Sequence, residues 1–125
     1  MKMYEIIELS NFYPTIKDTK MPLKTTYKFS RLMRQVEKEM AFYTEEFQKL
    51  IQIYAKTNED GSYCFSPDGQ SIEIIDGKQT ECNTKIMELR NLEIEMEPVT
   101  FTLEELDSLN FSIAELGCLM PFIEE

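Results

Sequence analysis

One long amphipathic helix is the feature that most constrains the fold of this chain. Within residues 25–56, apolar side chains recur at steps of three or four residues and share one stripe of a helix: Phe29, Leu32, Val36, Met40, Tyr43, Phe47, Leu50 and Tyr54. We predict a helix over about residues 23–57, roughly 50 Å long at 1.5 Å per residue. The alternation of three and four is the spacing of a coiled-coil seam. The first part of the stripe (Phe29, Leu32, Val36, Met40 and Tyr43) is therefore predicted to be a partner or oligomer seam.

Turn signals and short apolar runs outside this helix predict β-structure. The turn sequence Ser-Pro-Asp-Gly at 66–69 lies between two apolar runs and predicts a β-hairpin over about residues 62–75. The apolar run at 3–9 favours a strand. Alternating apolar and acidic residues at 92–101 are typical of a half-buried strand. We expect these two terminal strands to pair in a small sheet.

Further helices are predicted on both sides of the long one. Ser10 is able to cap a short helix over 11–18. Apolar spacing in 79–91 predicts a shorter return helix. Two capping boxes, one starting at Thr102 and the other at Ser112, predict a pair of short helices within about 103–120.

These elements together predict an α+β fold that is mainly α. The long helix and the shorter return helix are joined by a β-hairpin, the terminal strands form a small sheet, and two short helices end the chain. With 125 residues, of which 42% are hydrophobic, the chain suits one domain over residues 1–125.

Composition argues against enzymatic chemistry. The chain has no histidine, which removes the commonest general base and metal ligand. Its three cysteines are widely spaced and fit buried thiols better than a metal site. No nucleotide-binding, nucleophile-elbow or metalloprotease motif is present. We therefore predict no enzyme, no catalytic residues, no metal and no cofactor.

The charge of the chain is large but unevenly distributed. A formal net charge of −10 disfavours nucleic acid and anionic membranes as partners. Residues 17–38 nevertheless hold seven lysines and arginines, whereas residues 88–125 hold ten carboxylates and one arginine. These two regions can pair with each other, within a protomer or between protomers. Alternatively, basic side chains near the start of the long helix form an anion-binding site: Lys24, Lys28, Arg31 and Arg34.

The hydropathy of the chain predicts a protein that stays in the cytosol. The sequence has no run of 18 apolar residues, and its first ten residues lack the apolar block of a signal peptide. We therefore expect a protein that does not enter a membrane.

The order of these segments resembles a known group of proteins. Residues 21–40 lead into the long helix, a polar turn and hairpin follow, and then come a short return helix, the acidic segment 91–101 and the ending 102–125. In this order the chain is similar to a family of small, uncharacterised proteins of tailed phages and prophages of Gram-positive bacteria. The helix, hairpin and helix order also resembles prefoldin subunits, with a shorter return helix. The resemblance implies a fold and an origin in phage, but no catalytic residue. It also implies that the cytosol in question is the cytoplasm of the bacterial host.

Two functions follow as hypotheses. The first is a non-enzymatic phage accessory protein that binds another protein or itself, either as an assembly or chaperone-like factor or as an inhibitor of a host defence system. The second is a homo-oligomer that sequesters a small anionic nucleotide signal at the basic site.

Overall fold

The structure is a computed structural model that describes residues 1–124, and it is mainly helical. Helices hold 58% of the chain. Five α-helices occur in the described part: α1 (Met3–Phe12), α2 (Leu23–Tyr54), α3 (Gln79–Arg90), α4 (Leu103–Asp107) and α5 (Ile113–Leu119). Short 3-10 helices follow α1 at Tyr13–Thr15 and α5 at Met120–Phe122. The predicted α+β class is therefore wrong, because residues 1–124 contain isolated β-bridges but no sheet.

The chain divides into two compact units, which we describe separately. Unit 1 comprises Met1–Ala41 and Glu93–Glu125, and unit 2 comprises Phe42–Leu92. Helix α2 contributes residues to both units. The single domain predicted from the sequence stays a prediction.

Unit 1 has a large apolar core. Helix α1 packs against α5, and Phe12 meets Phe111 edge to face with ring centroids 5.5 Å apart. The ring of Phe101, fully buried, lies 4.5 Å from that of Phe29 on α2. Fourteen apolar side chains are buried in this unit: Met3, Ile6, Leu9, Phe12, Ile16, Phe29, Leu32, Met33, Val36, Val99, Phe101, Leu106, Leu119 and Phe122.

The N-terminal segment is a helix, which corrects the strand predicted at 3–9. The buried side chains of α1 recur every third residue, at Met3, Ile6, Leu9 and Phe12, and so lie on one helical face. The Glu5 carboxylate accepts a hydrogen bond from the Lys2 backbone amide at 2.9 Å and so satisfies a donor at the helix start. Pro14 lies in the 3-10 turn after α1, where the predicted helix over 11–18 does not form.

The segment predicted as a strand at 92–101 belongs to no sheet. It forms only single bridges at its ends, Lys2 with Glu93 and Phe101 with Ile123. The expected partner strand at 3–9 is helical, so it offers no free backbone ladder. The alternation of apolar residues here reflects one-sided burial of an extended segment, with Val99 and Phe101 inside.

The β-hairpin predicted at 62–75 is also absent. The segment contains a tight turn at 66–69, where the Gly69 amide donates to Ser66 O at 2.8 Å and Gly69 adopts a φ of 71°. The Lys56 amide donates to Glu73 O, whereas Lys56 O accepts from the Cys64 amide, so this stretch divides its hydrogen bonds between two neighbours. Each pairing is an isolated bridge, and no strand develops.

Unit 2 has a small core. Only Tyr54, Ala55, Cys82 and Leu89 are buried apolar residues there, on the last part of α2, its exit and α3. Helix α2 ends at Tyr54, before the predicted end near 57, because Ala55 forms a bridge with Ile74 and Lys56 bonds to Glu73.

Both predicted capping boxes are present in unit 1. The Glu105 amide donates to Thr102 Oγ1 at 3.2 Å, and the Glu115 amide donates to Ser112 Oγ at 3.1 Å. In return, each glutamate accepts from the backbone amide of its cap residue. These reciprocal bonds fix the start of α4 and of α5.

Candidate functional site

Lys28 on α2, one of the four residues of the predicted anion site, is paired with a carboxylate of its own chain. Its ammonium donates to Glu105 Oε1 at 2.7 Å, and the side chains of Lys28 and Glu105 are only 22% and 14% exposed. The same ammonium lies 5.8 Å from the centre of the Phe101 ring. Lys28 is therefore paired inside unit 1 and is not presented to solvent as a free cation.

Glu105 is the centre of this polar cluster. The Lys28 ammonium, followed by the Thr102 backbone amide, holds the pKa of this carboxyl below its ordinary value. Oε1 accepts all of these bonds, whereas Oε2 is buried and has no hydrogen-bond partner in the described part of the chain. Burying this unpaired oxygen costs free energy of desolvation, which the nearby positive charge of Lys28 offsets in part.

Arg31 also forms an ion pair with a carboxylate of its own chain, but this pair is weak. Its Nη2 lies 3.7 Å from Glu97 Oε2, and both side chains are largely exposed. Its guanidinium carbon lies 6.0 Å from the centre of the Tyr27 ring. An exposed pair of this kind contributes little to stability.

The side chains of Lys24 and Arg34, the other two predicted anion ligands, make no ion pair or hydrogen bond among the described residues. Both are exposed. The structure thus does not show the four basic residues acting together, since two of them face carboxylates of the chain itself. The four-residue anion site stays a prediction.

The predicted seam divides into buried and half-buried parts. Phe29, Leu32 and Val36 are buried in unit 1, where they are part of the core of their own chain. Met40 and Tyr43 are half-buried. In unit 2 the Tyr43 and Phe47 rings stack with centroids 5.9 Å apart, and Phe47 and Leu50 are also half-buried. Only the later part of the stripe is accessible to another molecule.

Unit 2 has two grooves along this accessible part of α2. The first, which we call the loop groove, has a volume of about 370 Å³ and is lined by Thr44, Phe47, Gln48, Ile51, Gln52, Tyr63 and Ile72. The second, the helix groove, has about 240 Å³ and is lined by Glu46, Leu50, Lys85, Glu88, Leu89 and Leu92. The loop groove contains no charged side chain, whereas both signs of charge line the helix groove.

Several residues of interest were missed by sequence reasoning. Ile51, Tyr63 and Ile72 were not assigned to any site, because Tyr63 and Ile72 were expected in a hairpin and Ile51 lies beside the main stripe. Lys17 and Glu37 were counted only as charges, although both line a groove in unit 1. A second, weaker stripe along α2, at 44, 47, 48 and 51, was the signal for the loop groove.

Residues 1–124 contain neither a cluster of metal-binding side chains nor a helix that could span a membrane. No group of three histidine, cysteine or carboxylate side chains there is placed to hold a metal ion. None of the helices in this range is long and apolar enough to cross a membrane.

Comparison of the chain with protein families, with curated proteins and with solved structures gave no match. The resemblance to tailed-phage proteins therefore stays a prediction from the sequence.

Proposed function

We propose that this protein is a non-enzymatic binding protein and that its loop groove receives an amphipathic helix of another protein. The partner helix carries lysine or arginine residues beside its apolar stripe. The observation that carries the proposal is the thin core of unit 2, where four apolar side chains are buried against fourteen in unit 1.

Unit 2 therefore leaves much apolar surface uncovered. Six of its large apolar side chains are at least 40% exposed: Phe42, Ile53, Phe65, Ile75, Met87 and Leu92. A small unit gains stability when another element covers such a surface, since burial contributes about 25 cal/mol per Å² of apolar area.

The loop groove suits a helix because of its shape and lining. Phe47 and Ile51 lie one turn apart on α2, and Tyr63 and Ile72 form the opposite wall. A partner helix lying along α2 contacts apolar side chains on both walls of the groove, as in other helix-in-groove complexes. Thr44, Gln48 and Gln52 supply neutral hydrogen-bonding groups at the edge.

The charge of unit 2 favours a basic partner. It carries nine carboxylates (Glu45, Glu46, Glu59, Asp60, Asp68, Glu73, Asp76, Glu81 and Glu88) and five cations (Lys49, Lys56, Lys78, Lys85 and Arg90). Hydrogen bonds from the Ser62 and Ser66 hydroxyls lower the pKa values of Asp60 and Asp68, which keeps these two groups ionised. A second copy of the chain brings the same excess of negative charge and is disfavoured at long range.

The resemblance to phage proteins supports a role for this binding in infection. We propose that the partner is a phage protein under assembly or a component of a host defence system. Sequestration of a nucleotide by Lys24, Lys28, Arg31 and Arg34 is the less favoured function, because Lys28 and Arg31 already face Glu105 and Glu97.

The test is affinity capture from the bacterial host, followed by titration of the purified partner. Ile51→Glu places a carboxylate in the loop groove, and Ile113→Glu is the matched control, since Ile113 is 94% exposed and lies in unit 1. We expect Ile51→Glu to weaken partner binding at least tenfold and Ile113→Glu to change it less than twofold. We also expect the affinity to fall as salt is raised.

Two outcomes overturn the proposal. The first is a folded Ile51→Glu variant, verified by circular dichroism, that binds the purified partner as tightly as the wild type does. The second is a wild-type chain that sediments as a dimer while Ile51→Glu sediments as a monomer, which identifies the occupant as a second copy.

A further inference from the structure

Unit 1 contains a groove that shares only Arg34 with the predicted anion site and no residue with the loop groove. It lies between the segment after α1 and the first turns of α2 and has a volume of about 350 Å³. We call it the N-terminal groove, and its lining residues are Tyr13, Ile16, Lys17, Thr19, Met21, Thr26, Phe29, Ser30, Met33, Arg34 and Glu37. Its size falls within the range of small-molecule sites.

The floor of this groove is apolar and well packed. Ile16, Phe29 and Met33 line it and are at most 5% exposed. Met21 and the partly exposed ring of Tyr13 lie at its edge. Methionine sulfur and aromatic faces make favourable contacts with a flat aromatic ring. The floor is therefore suited to an aromatic group about the size of a nucleobase.

The walls supply cations that the chain does not use. Lys17 comes from the segment after α1 and Arg34 from α2, one from each wall. Neither side chain makes an ion pair or hydrogen bond within residues 1–124, in contrast to those of Lys28 and Arg31. An ammonium and a guanidinium that line one groove are a suitable pair for a phosphate group.

The remaining polar groups are suited to a sugar. The hydroxyls of Thr19, Thr26 and Ser30 line the groove, and so does the Glu37 carboxylate, which has no partner among the described residues. Carboxylates and hydroxyls accept hydrogen bonds from ribose hydroxyls. Because Glu37 repels additional negative charge, the groove favours one phosphate over a chain of several.

We infer that the N-terminal groove binds a nucleoside monophosphate. Lys17 and Arg34 hold the phosphate, the apolar floor receives the base, and Glu37 with the neighbouring hydroxyls receives the ribose. This inference is independent of the loop groove, because every residue that carries it belongs to unit 1. A long nucleic acid is disfavoured by the net charge of −10.

The experiment is a titration of the full chain with adenosine monophosphate by isothermal calorimetry, with adenosine and inorganic phosphate as reference compounds. Arg34→Ala removes one phosphate ligand, and Lys38→Ala is the matched control, since Lys38 is an exposed and unpaired cation of α2 outside the groove. We expect adenosine monophosphate to bind at least tenfold more tightly than either reference compound. Arg34→Ala should weaken this binding at least tenfold, and Lys38→Ala less than twofold.

Three results overturn the inference. One is the lack of saturable binding of adenosine monophosphate at millimolar concentration. Another is equal weakening by Arg34→Ala and Lys38→Ala, which indicates general attraction between charges. The third is equal binding of adenosine monophosphate and either reference compound, because the groove then recognises only one half of the ligand.

Discussion

The side chain of Gln35 forms two hydrogen bonds with the backbone of Glu97. The Glu97 amide donates to Gln35 Oε1 at 2.7 Å, and Gln35 Nε2 donates to Glu97 O at 3.4 Å. A helix side chain here takes the place of a neighbouring strand and satisfies both backbone groups of an extended residue. This contact explains how the segment after residue 92 stays extended in unit 1 without a sheet.

We expect Gln35→Leu to destabilise the protein by about 0.5–1.5 kcal/mol, because both hydrogen bonds to the Glu97 backbone are lost. Gln52→Leu, an exposed position of the same helix, is the control and should change stability by less than about 0.5 kcal/mol. Urea denaturation measures both values. Equal values for the two variants would show that the Gln35 contact does not contribute.

Glu105→Gln tests the charge of the Lys28 pair, since glutamine keeps the shape of the capping box. We expect a loss of about 1–2 kcal/mol at pH 7. The pKa of Glu105 is lowered by Lys28, so its stabilising effect is present above the ordinary glutamate pKa and disappears as pH falls through the lowered value.

The difference in unfolding free energy between the wild type and Glu105→Gln should therefore shrink as the pH is lowered from 7 into the acid range. The neighbouring Glu104 is exposed and forms no ion pair among residues 1–124, so Glu104→Gln serves as the control. Thermal denaturation at several pH values gives the comparison. A difference that is constant from pH 7 to strongly acidic pH contradicts the assignment.

Aspartate substitutions along α2 test which part of the apolar stripe is core. Val36→Asp places an unpaired carboxylate in the core of unit 1 and should cost several kcal/mol, enough to unfold a marginal protein. Phe47→Asp removes a half-buried ring in unit 2 and should cost only about 1–2 kcal/mol. The thermal midpoints of the two variants provide the measurement. An equal loss of stability in both variants would contradict the assignment of Val36 to the core and of Phe47 to the half-buried surface.

Alanine substitutions at two glycines are expected to change the stability of the protein in opposite directions. Gly117 lies within α5 and an added Cβ meets no atom within 4 Å, so Gly117→Ala should stabilise the protein by about 0.5–1 kcal/mol. Gly69 has a φ of 71°, so Gly69→Ala should destabilise it by about 1 kcal/mol. Denaturation curves of the two single variants provide the check, and a shift in the same direction for both contradicts the backbone assignment.

The helices of this chain were the most predictable part of the fold, because their signals are local. The stripe from Phe29 to Tyr54 has the period of a helix, and α2 runs over Leu23–Tyr54. The capping boxes at Thr102 and Ser112 are four-residue patterns whose hydrogen bonds form within each helix start. Neither signal depends on contacts with distant parts of the chain.

The prediction of β-structure was wrong because strands depend on partners elsewhere in the chain. Residues 3–9 are apolar enough for a strand, but the spacing of Met3, Ile6 and Leu9 also suits a helix, and helix formation removes the partner of 92–101. In the same way, Lys56 divides its backbone hydrogen bonds between Cys64 and Glu73. An alternating pattern records which side is buried and does not identify the backbone partner.

The binding surfaces were only partly predictable for a similar reason. The sequence located the basic residues of α2, but their pairing depends on side chains about 66 to 77 positions away, Glu97 and Glu105. The loop groove and the N-terminal groove each combine α2 with a separate loop segment. Local periodicity does not report such combinations.

Hydrogen–deuterium exchange of the full chain, alone and with its purified partner, tests the central claim most directly. The loop groove as a docking site predicts slower exchange at residues 44–52 and 63–72 in the complex, with unit 1 unchanged. Slower exchange confined to unit 1, with unit 2 the same in both states, would contradict it.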